Sequence, residues 1–424
     1  MRIILLIGFI AIFKISSGAD WFKDYFIEKT MRVDLIFTGN DKKMDVSFEQ
    51  IKQEPVWGGS QKNLIDPFNY GYYKYLVYDL KSNKLIYSKG FSSLFQEWQS
   101  TDEAKKVKRG FYETITFPYP KNKVRVELQS RDKKNVFSKV FEIEIDPKNY
   151  FINKEKPKHY DVNNVLESGN PMNKVDLVII PDGYTKEDMV KFRKDVQRFT
   201  QYFFNCSPYK ENKNKFNIKA IEAPSADSGV DIPADSVWKN TIVNSGFYTF
   251  DSERYLTTTD IKKIRDIAAN VPYDAIFILA NSSKYGGGGV YNYYCESSSD
   301  NPGSEYVFCH EFGHAFAGLG DEYYDSQVSV IDYYDTTVEP WEPNLTTLVN
   351  FSSKWKNMIT PGTPVPTPVE DKYIKSVGAF EGGGYMKKNV FRPAYDCQMK
   401  SSTVNNFCLV CKKAIIDMIK YYSE

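Results

Sequence analysis

The chain has 424 residues, enough for two domains at the usual size of about 100–200 residues each. Its 55 Lys and Arg against 54 Asp and Glu leave a net charge of +1, which removes the electrostatic case for a nucleic-acid partner. Hydrophobic residues at 42% suffice for a buried core, and 31 Tyr with 29 Phe favour β structure.

The first residues, "MRIILLIGFIAIFKISSGAD", combine a positive start at Arg2, an apolar run from Ile3 to Phe13, and small residues Ser17 and Ala19. These features predict a secretory signal peptide over residues 1–19, cut between Ala19 and Asp20. The run is short for a membrane span of about 20 residues, and Lys14 interrupts it. No cysteine follows the cut, so no lipid-anchored N-terminus is expected, and no later segment is apolar enough to span a bilayer. The expected location is secreted, periplasmic or cell-surface.

Residues 20–147 read as an all-β sandwich. "RVDLIF", "YKYLVYDL", "KLIYSKG", "KVRVELQS" and "VFEIEID" are short, β-rich and separated by turn residues. Residues 148–171, polar and proline-containing, read as a linker. From residue 172 to 424 the pattern turns α/β. "VDLVIIPDGYT", "KFNIKAIEAP" and "YDAIFILANSS" predict buried strands, and "KEDMVKFRKDVQRFTQYFF" has helical periodicity. "SEYVFCHEFGHAFAGLG" predicts an apolar helix ending at Gly318 or Gly320. A long irregular stretch follows, and "CLVCKKAIIDMIKYY" predicts a closing helix. The fold class expected for the whole is α+β, an N-terminal sandwich followed by an α/β catalytic domain.

The chain has only three histidines, and two of them stand four apart as "HEFGH". On a helix, positions i and i+4 share a face, so His310 and His314 project together as two imidazoles must to grip one zinc ion. Glu311 flanks that site, where it can take a proton from metal-activated water. The pattern is the H-E-x-x-H of zinc peptidases. A catalytic zinc needs a third protein ligand. His159 lies in the linker and reads as a surface histidine. Metzincins place a third histidine where this chain has Gly320. The next residue, Asp321, is the preferred third ligand, with Glu322 its close rival and Glu339 a distant one. Cys309, beside His310, reads as core.

Weaker expectations concern substrate. Gly287 and Gly288, within "SKYGGGGVYNYY", suit either an exposed strand edge that a substrate backbone joins or a flexible hairpin tip. Tyr385, Arg392 and Tyr395 are candidate donors to a developing oxyanion. Met399 is a candidate for a methionine turn beneath the metal. "FCLVC" (Cys408, Cys411) has the spacing of half a zinc ribbon or of a redox pair, but no second CxxC exists and no thioredoxin-like context surrounds it, so structural or free cysteines are the simpler reading.

At these residues the chain resembles the IgA-peptidase family of secreted bacterial zinc metallopeptidases. The likeness rests on "APSADSGVDIP", "ERYLTTTD", "NSSKYGGGGVYN", "HEFGHAFAGLGDEYY" and "GGGYMKKNVFRPAYDCQMK…FCLVC", with "MRVDLIFTGN", "WGGSQKNLID" and "SSLFQEWQSTDEAK" resembling the sandwich that precedes the catalytic domain. It implies a metzincin-like catalytic domain, Zn2+ as cofactor, His310, His314 and Asp321 as ligands, Glu311 as base and Met399 in the methionine turn. The expected activity is hydrolysis of extracellular protein or peptide substrates, immunoglobulin A or mucin-type proteins among the candidates. The competing expectation is a binding protein whose sandwich contacts a glycan or protein and whose zinc domain is not catalytic.

Overall fold

The computed structural model describes residues 18–324 and 333–424. The predicted signal peptide lies outside the described residues except for Gly18 and Ala19, which open a short helix, α1 (Gly18–Tyr25).

The N-terminal domain is a sandwich of two antiparallel sheets. One has the order β2-β1-β5, from β1 (Phe26–Gly39), β2 (Met44–Glu54) and β5 (Arg109–Pro120). The other has the order β4-β3-β6-β7, from β3 (Tyr73–Asp79), β4 (Leu85–Phe91), β6 (Val124–Arg131) and β7 (Phe137–Ile145). Alternating residues turn aromatic and branched side chains inward, where Phe37 of β1 meets Tyr73 of β3 with ring centroids 5.1 Å apart. The Tyr75 hydroxyl crosses between the sheets to Thr116 O at 2.6 Å, so the buried phenol keeps its hydrogen bond. Between β4 and β5 lies α2 (Leu94–Gln99), capped by Ser93 and seated by buried Phe95 and Trp98.

The second domain is built on a six-stranded sheet of order β12-β13-β11-β9-β10-β8. Its parallel centre comprises β9 (Val175–Asp182), β10 (Phe216–Glu222), β11 (Ala275–Ala280) and β13 (Tyr294–Ser298). Every residue of β9, VDLVIIPD, is buried, as a strand covered on both faces requires. The sheet is edged by antiparallel β8 (Asp161–Leu166) and β12 (Gly287–Val290). β8 falls in the segment expected as linker, because its sequence, DVNNVL, lacks the apolar pattern of a core strand. α3 (Met189–Asn205) links β9 to β10 and packs with α5 (Ser304–Ala317), and α6 (Leu409–Ser423) closes the same core. A hairpin, β14 (Phe380–Gly383) and β15 (Met386–Arg392), follows the irregular region.

The two domains meet through α4 (Ile261–Ala268). Asp266 of α4 sits 2.8 Å from both Arg32 of β1 and Lys52 of β2. Arg32 is buried and also pairs with Asp34 and Glu54, so its charge is offset on three sides.

Candidate active site

α5 is apolar nearly all round because core surrounds it; its polar exceptions therefore stand out. His310 and His314 project side by side, with their Nε2 atoms 3.1 Å apart. Gly318 ends the helix in the left-handed conformation (φ +62°), which only glycine adopts without strain, and turns the chain back. The turn carries Leu319 O to within 2.6 Å of His314 Nδ1. It then brings Asp321 Oδ1 to 3.1 Å from His310 Nε2 and 3.2 Å from His314 Nε2. His310 Nδ1 lies 3.0 Å from Gln398 O. With a carbonyl at each Nδ1, the N–H sits there and the Nε2 lone pairs converge on Asp321.

These three atoms fit a metal ion. Zinc–nitrogen and zinc–oxygen bonds of about 2.0–2.2 Å give a tetrahedron edge of roughly 3.3–3.5 Å, close to the three spacings observed. Asp321 Oδ1 is buried without a hydrogen-bond partner, an orphan that a cation would satisfy. Burial opposes charge on Asp321, yet the His314 and His310 imidazoles hold its carboxyl well below the usual range. Burial likewise opposes charge on His314, but Asp321 pushes it up to about 9. Protons and a metal thus compete for the same atoms.

The rivals for the third position lie elsewhere. Glu322 turns away from the histidines toward Cys411, with Oε1 3.2 Å from Sγ. Glu339 accepts from Thr346 Oγ1 at 2.7 Å and Asn350 N at 2.7 Å, which ties it to its own loop. His159 is exposed. Cys309 is fully buried in the core.

Glu311 lines a cleft of about 870 Å³ that also exposes His310, His314 and Asp321. Burial raises its carboxyl above the ordinary value, against the pull of both imidazoles. The cleft has walls from both domains: Gln96, Glu97 and Arg109 come from the sandwich, and Arg254, Tyr285 and Tyr323 from the second domain. The Tyr255 hydroxyl bonds Glu97 across the junction.

The weaker sequence expectations fare unevenly. Tyr385 reaches the site, but its hydroxyl donates to Asp321 Oδ2. Arg392 and Tyr395 do not line the cleft. The buried Arg392 guanidinium donates to Glu381 O at 2.8 Å, Gly382 O at 2.7 Å and Tyr395 O at 3.3 Å, so it braces the β14–β15 hairpin. Gly287 and Gly288 line the cleft but belong to strand β12, not to a hairpin tip. Gly287 N donates to Arg254 O at 3.2 Å and its carbonyl accepts from Leu256 N at 3.2 Å, so a substrate backbone finds those groups taken. The glycines serve close packing: a Cβ on Gly289 would lie 2.3 Å from Glu311 O. Met399 is buried, its Sδ 3.0 Å from where a Cβ on Gly313 would stand, which places it against α5 between the two histidine turns.

Asn344 was not foreseen. It accepts from Gly320 N at 2.8 Å and donates to Gly320 O at 2.8 Å and Glu322 Oε1 at 3.0 Å, clamping the loop around Asp321. Arg254 was not foreseen as a cleft residue either; it stands over the Tyr323 ring at 5.6 Å. Neither carries a local motif in sequence.

Two imidazoles, a carboxylate and an adjacent glutamate at the floor of a cleft are the furniture of a metal-dependent hydrolase. The model of the IgA peptidase M64 family matches residues 163–376 and 369–419, and that of the Peptidase M64 N-terminus matches residues 21–142. The chain belongs to the IgA peptidase M64 family and is accordingly a metallopeptidase. No curated protein matches it.

Proposed function

We propose that the protein is an exported zinc-dependent endopeptidase that cuts extracellular proteins, with His310, His314 and Asp321 holding the metal and Glu311 acting as general base. The observation that carries this reading is the convergence of Asp321 Oδ1 on both Nε2 atoms beside Glu311 in an open cleft. Zinc bound there would lower the pKa of water toward about 7 and polarise the scissile carbonyl. Glu311 takes the proton from the attacking water and delivers it to the leaving amine nitrogen. Its raised carboxyl favours that exchange, since a base works best with a pKa near the working pH. Tyr385 holds Asp321 in place, and Arg254 supplies positive charge to the cleft where the carbonyl oxygen becomes negative. The sandwich wall, through Gln96, Glu97 and Arg109, selects among substrates.

The signal-peptide reading of residues 1–19 supports export, and proteins such as immunoglobulin A and mucins are the substrates to try first. Incubation of the zinc-loaded protein with a panel of secreted proteins, with and without a chelator, tests the reading by mass spectrometry of fragments. Cuts that vanish with the chelator are expected; cuts that persist would contradict a metal-dependent enzyme.

A further inference from the structure

Three of the six cysteines gather on the side of the Asp321 loop away from the histidines. Cys397 Sγ and Cys411 Sγ are 3.8 Å apart. Glu322 Oε1 lies 3.2 Å from Cys411 Sγ, and one ligand atom from each of Glu322, Cys397, Cys408 and Cys411 falls within 4.8 Å of all the others. All six cysteines of the chain are thiols, and three of this cluster's four side chains, Glu322, Cys397 and Cys411, are buried.

From these observations we propose a second metal site, in which Cys397, Cys408, Cys411 and Glu322 hold a thiophilic divalent cation, zinc by chemical preference. Four protein donors close the coordination shell, so the site is structural and has no position for water. The spacing suits the ion. A zinc–sulfur bond of about 2.3 Å gives a sulfur–sulfur tetrahedron edge of roughly 3.8 Å, the Cys397–Cys411 distance. The sulfur–oxygen edge on the same bond lengths is about 3.6 Å, within a few tenths of the Cys411–Glu322 spacing.

The surroundings point the same way. Glu322 Oε2 is fully buried with no hydrogen-bond partner, so the carboxyl either keeps its proton there or gives it up to a cation that binds in its place. Backbone N–H groups already donate to two of the sulfurs, Cys408 N to Cys397 Sγ at 3.3 Å and Cys411 N to Cys408 Sγ at 3.5 Å. Such donors orient and stabilise thiolate ligands. Binding would release the thiol protons to solvent and form metal–sulfur bonds, with no change of oxidation state. A disulfide is the competing fate of these thiols in an oxidising compartment. It would use two sulfurs and leave a third thiol and the orphan carboxylate unanswered.

The cluster also anchors the active-site loop. Glu322 follows Asp321, its N–H donates to Met399 O at 2.8 Å, and Cys397 precedes Gln398, whose carbonyl faces His310 Nδ1. This consequence rests on the proposed catalytic site; the second metal site itself does not.

The test is elemental analysis of the full chain purified without chelator, beside a His310→Ala/His314→Ala variant and a Cys408→Ser/Cys411→Ser variant. Two zinc per chain are expected for the unaltered protein and one for the histidine variant. Cobalt loaded into the histidine variant should show the intense sulfur-to-metal charge-transfer absorption that only thiolate ligands give, a readout that stands even if the cysteine variant fails to fold. A histidine variant that binds no zinc and gives no such absorption would overturn the site. So would alkylation and mass analysis that find two of Cys397, Cys408 and Cys411 joined as a disulfide. One zinc retained in the histidine variant alongside an inactive unaltered protein would leave the second site standing and count against the catalytic reading alone.

Discussion

The Tyr385 hydroxyl donates to Asp321 Oδ2, while Asp321 Oδ1 faces His310 Nε2 at 3.1 Å. The carboxylate is therefore fixed by one oxygen and available through the other, the division of labour expected when a partner orients a metal ligand. Tyr385→Phe should weaken metal affinity by about 10–100-fold, as loss of an orienting partner generally does. Competition with a chromogenic chelator measures this. Unchanged affinity with a lower turnover number would assign Tyr385 to substrate instead.

The run of glycines in β12 presses that strand against α5. A Cβ on Gly289 would meet Glu311 O at 2.3 Å, and one on Gly287 would meet Val307 Cγ1 at 2.5 Å. Gly289→Ala should cost about 1–3 kcal/mol of stability through overpacking. It should lower activity too, because the displaced backbone is that of Glu311. Denaturant unfolding beside a peptidase assay checks both; a fully stable and active variant would refute the packing role.

Arg32 answers Asp34, Glu54 and Asp266 at once. Arg32→Ala leaves buried carboxylates without their cation and should destabilise the protein by about 3–5 kcal/mol. A change below about 1 kcal/mol in equilibrium unfolding, the range of an exposed pair, would mean the domains are joined by other contacts.

Glu113 on β5 is buried, and burial pushes its carboxyl up to about 8, with the Ser93 and Tyr293 hydroxyls pulling the other way. A raised carboxyl binds its proton more tightly in the folded protein than in the unfolded chain. Its contribution is fully present below about pH 4.5, is lost progressively as pH rises from there through the folded value of about 8, and changes no further above it. Glu113→Gln mimics the protonated form. The two proteins should match in stability below about pH 4.5 and diverge between there and about pH 8, the variant gaining at up to about 1.4 kcal/mol per pH unit. Glu97 and Asp176, each raised to about 7 mainly by burial, titrate alike in both proteins, so the comparison isolates Glu113. Parallel stability curves from pH 5 to 9 would contradict this account.

Much of the fold was legible because periodicity and residue type are local. The runs in β1, β3, β9 and β11, the helices α3, α5 and α6, and the HEFGH pairing all follow from neighbours in sequence. The polar β8 (DVNNVL) was not, and the glycine-rich β12 (GGGV) reads equally as strand edge or hairpin tip, because the strand character of both comes from pairing across the sheet. The site divides on the same line. Asp321 is the sequence's preferred ligand and adjacent Glu322 its close rival, both carboxylates, and the backbone path after Gly318 sends the one to the histidines and the other to the cysteines. Arg392 looked like an oxyanion donor because nothing in sequence shows that the carbonyls of Glu381, Gly382 and Tyr395 would take its donors. The cysteine cluster escaped for a similar reason, since Glu322 stands 75 residues before Cys397 (397 − 322 = 75) and no pair-wise motif spans that distance.

The most direct test of the central claim compares the unaltered protein with Glu311→Ala, each assayed for bound zinc and for cleavage of a protein shown to be a substrate. The account predicts equal zinc in both and a loss of turnover by at least about 100-fold in the variant, the scale of general base catalysis. Cleavage retained by Glu311→Ala at equal zinc content would contradict the assignment of the base and the mechanism built on it.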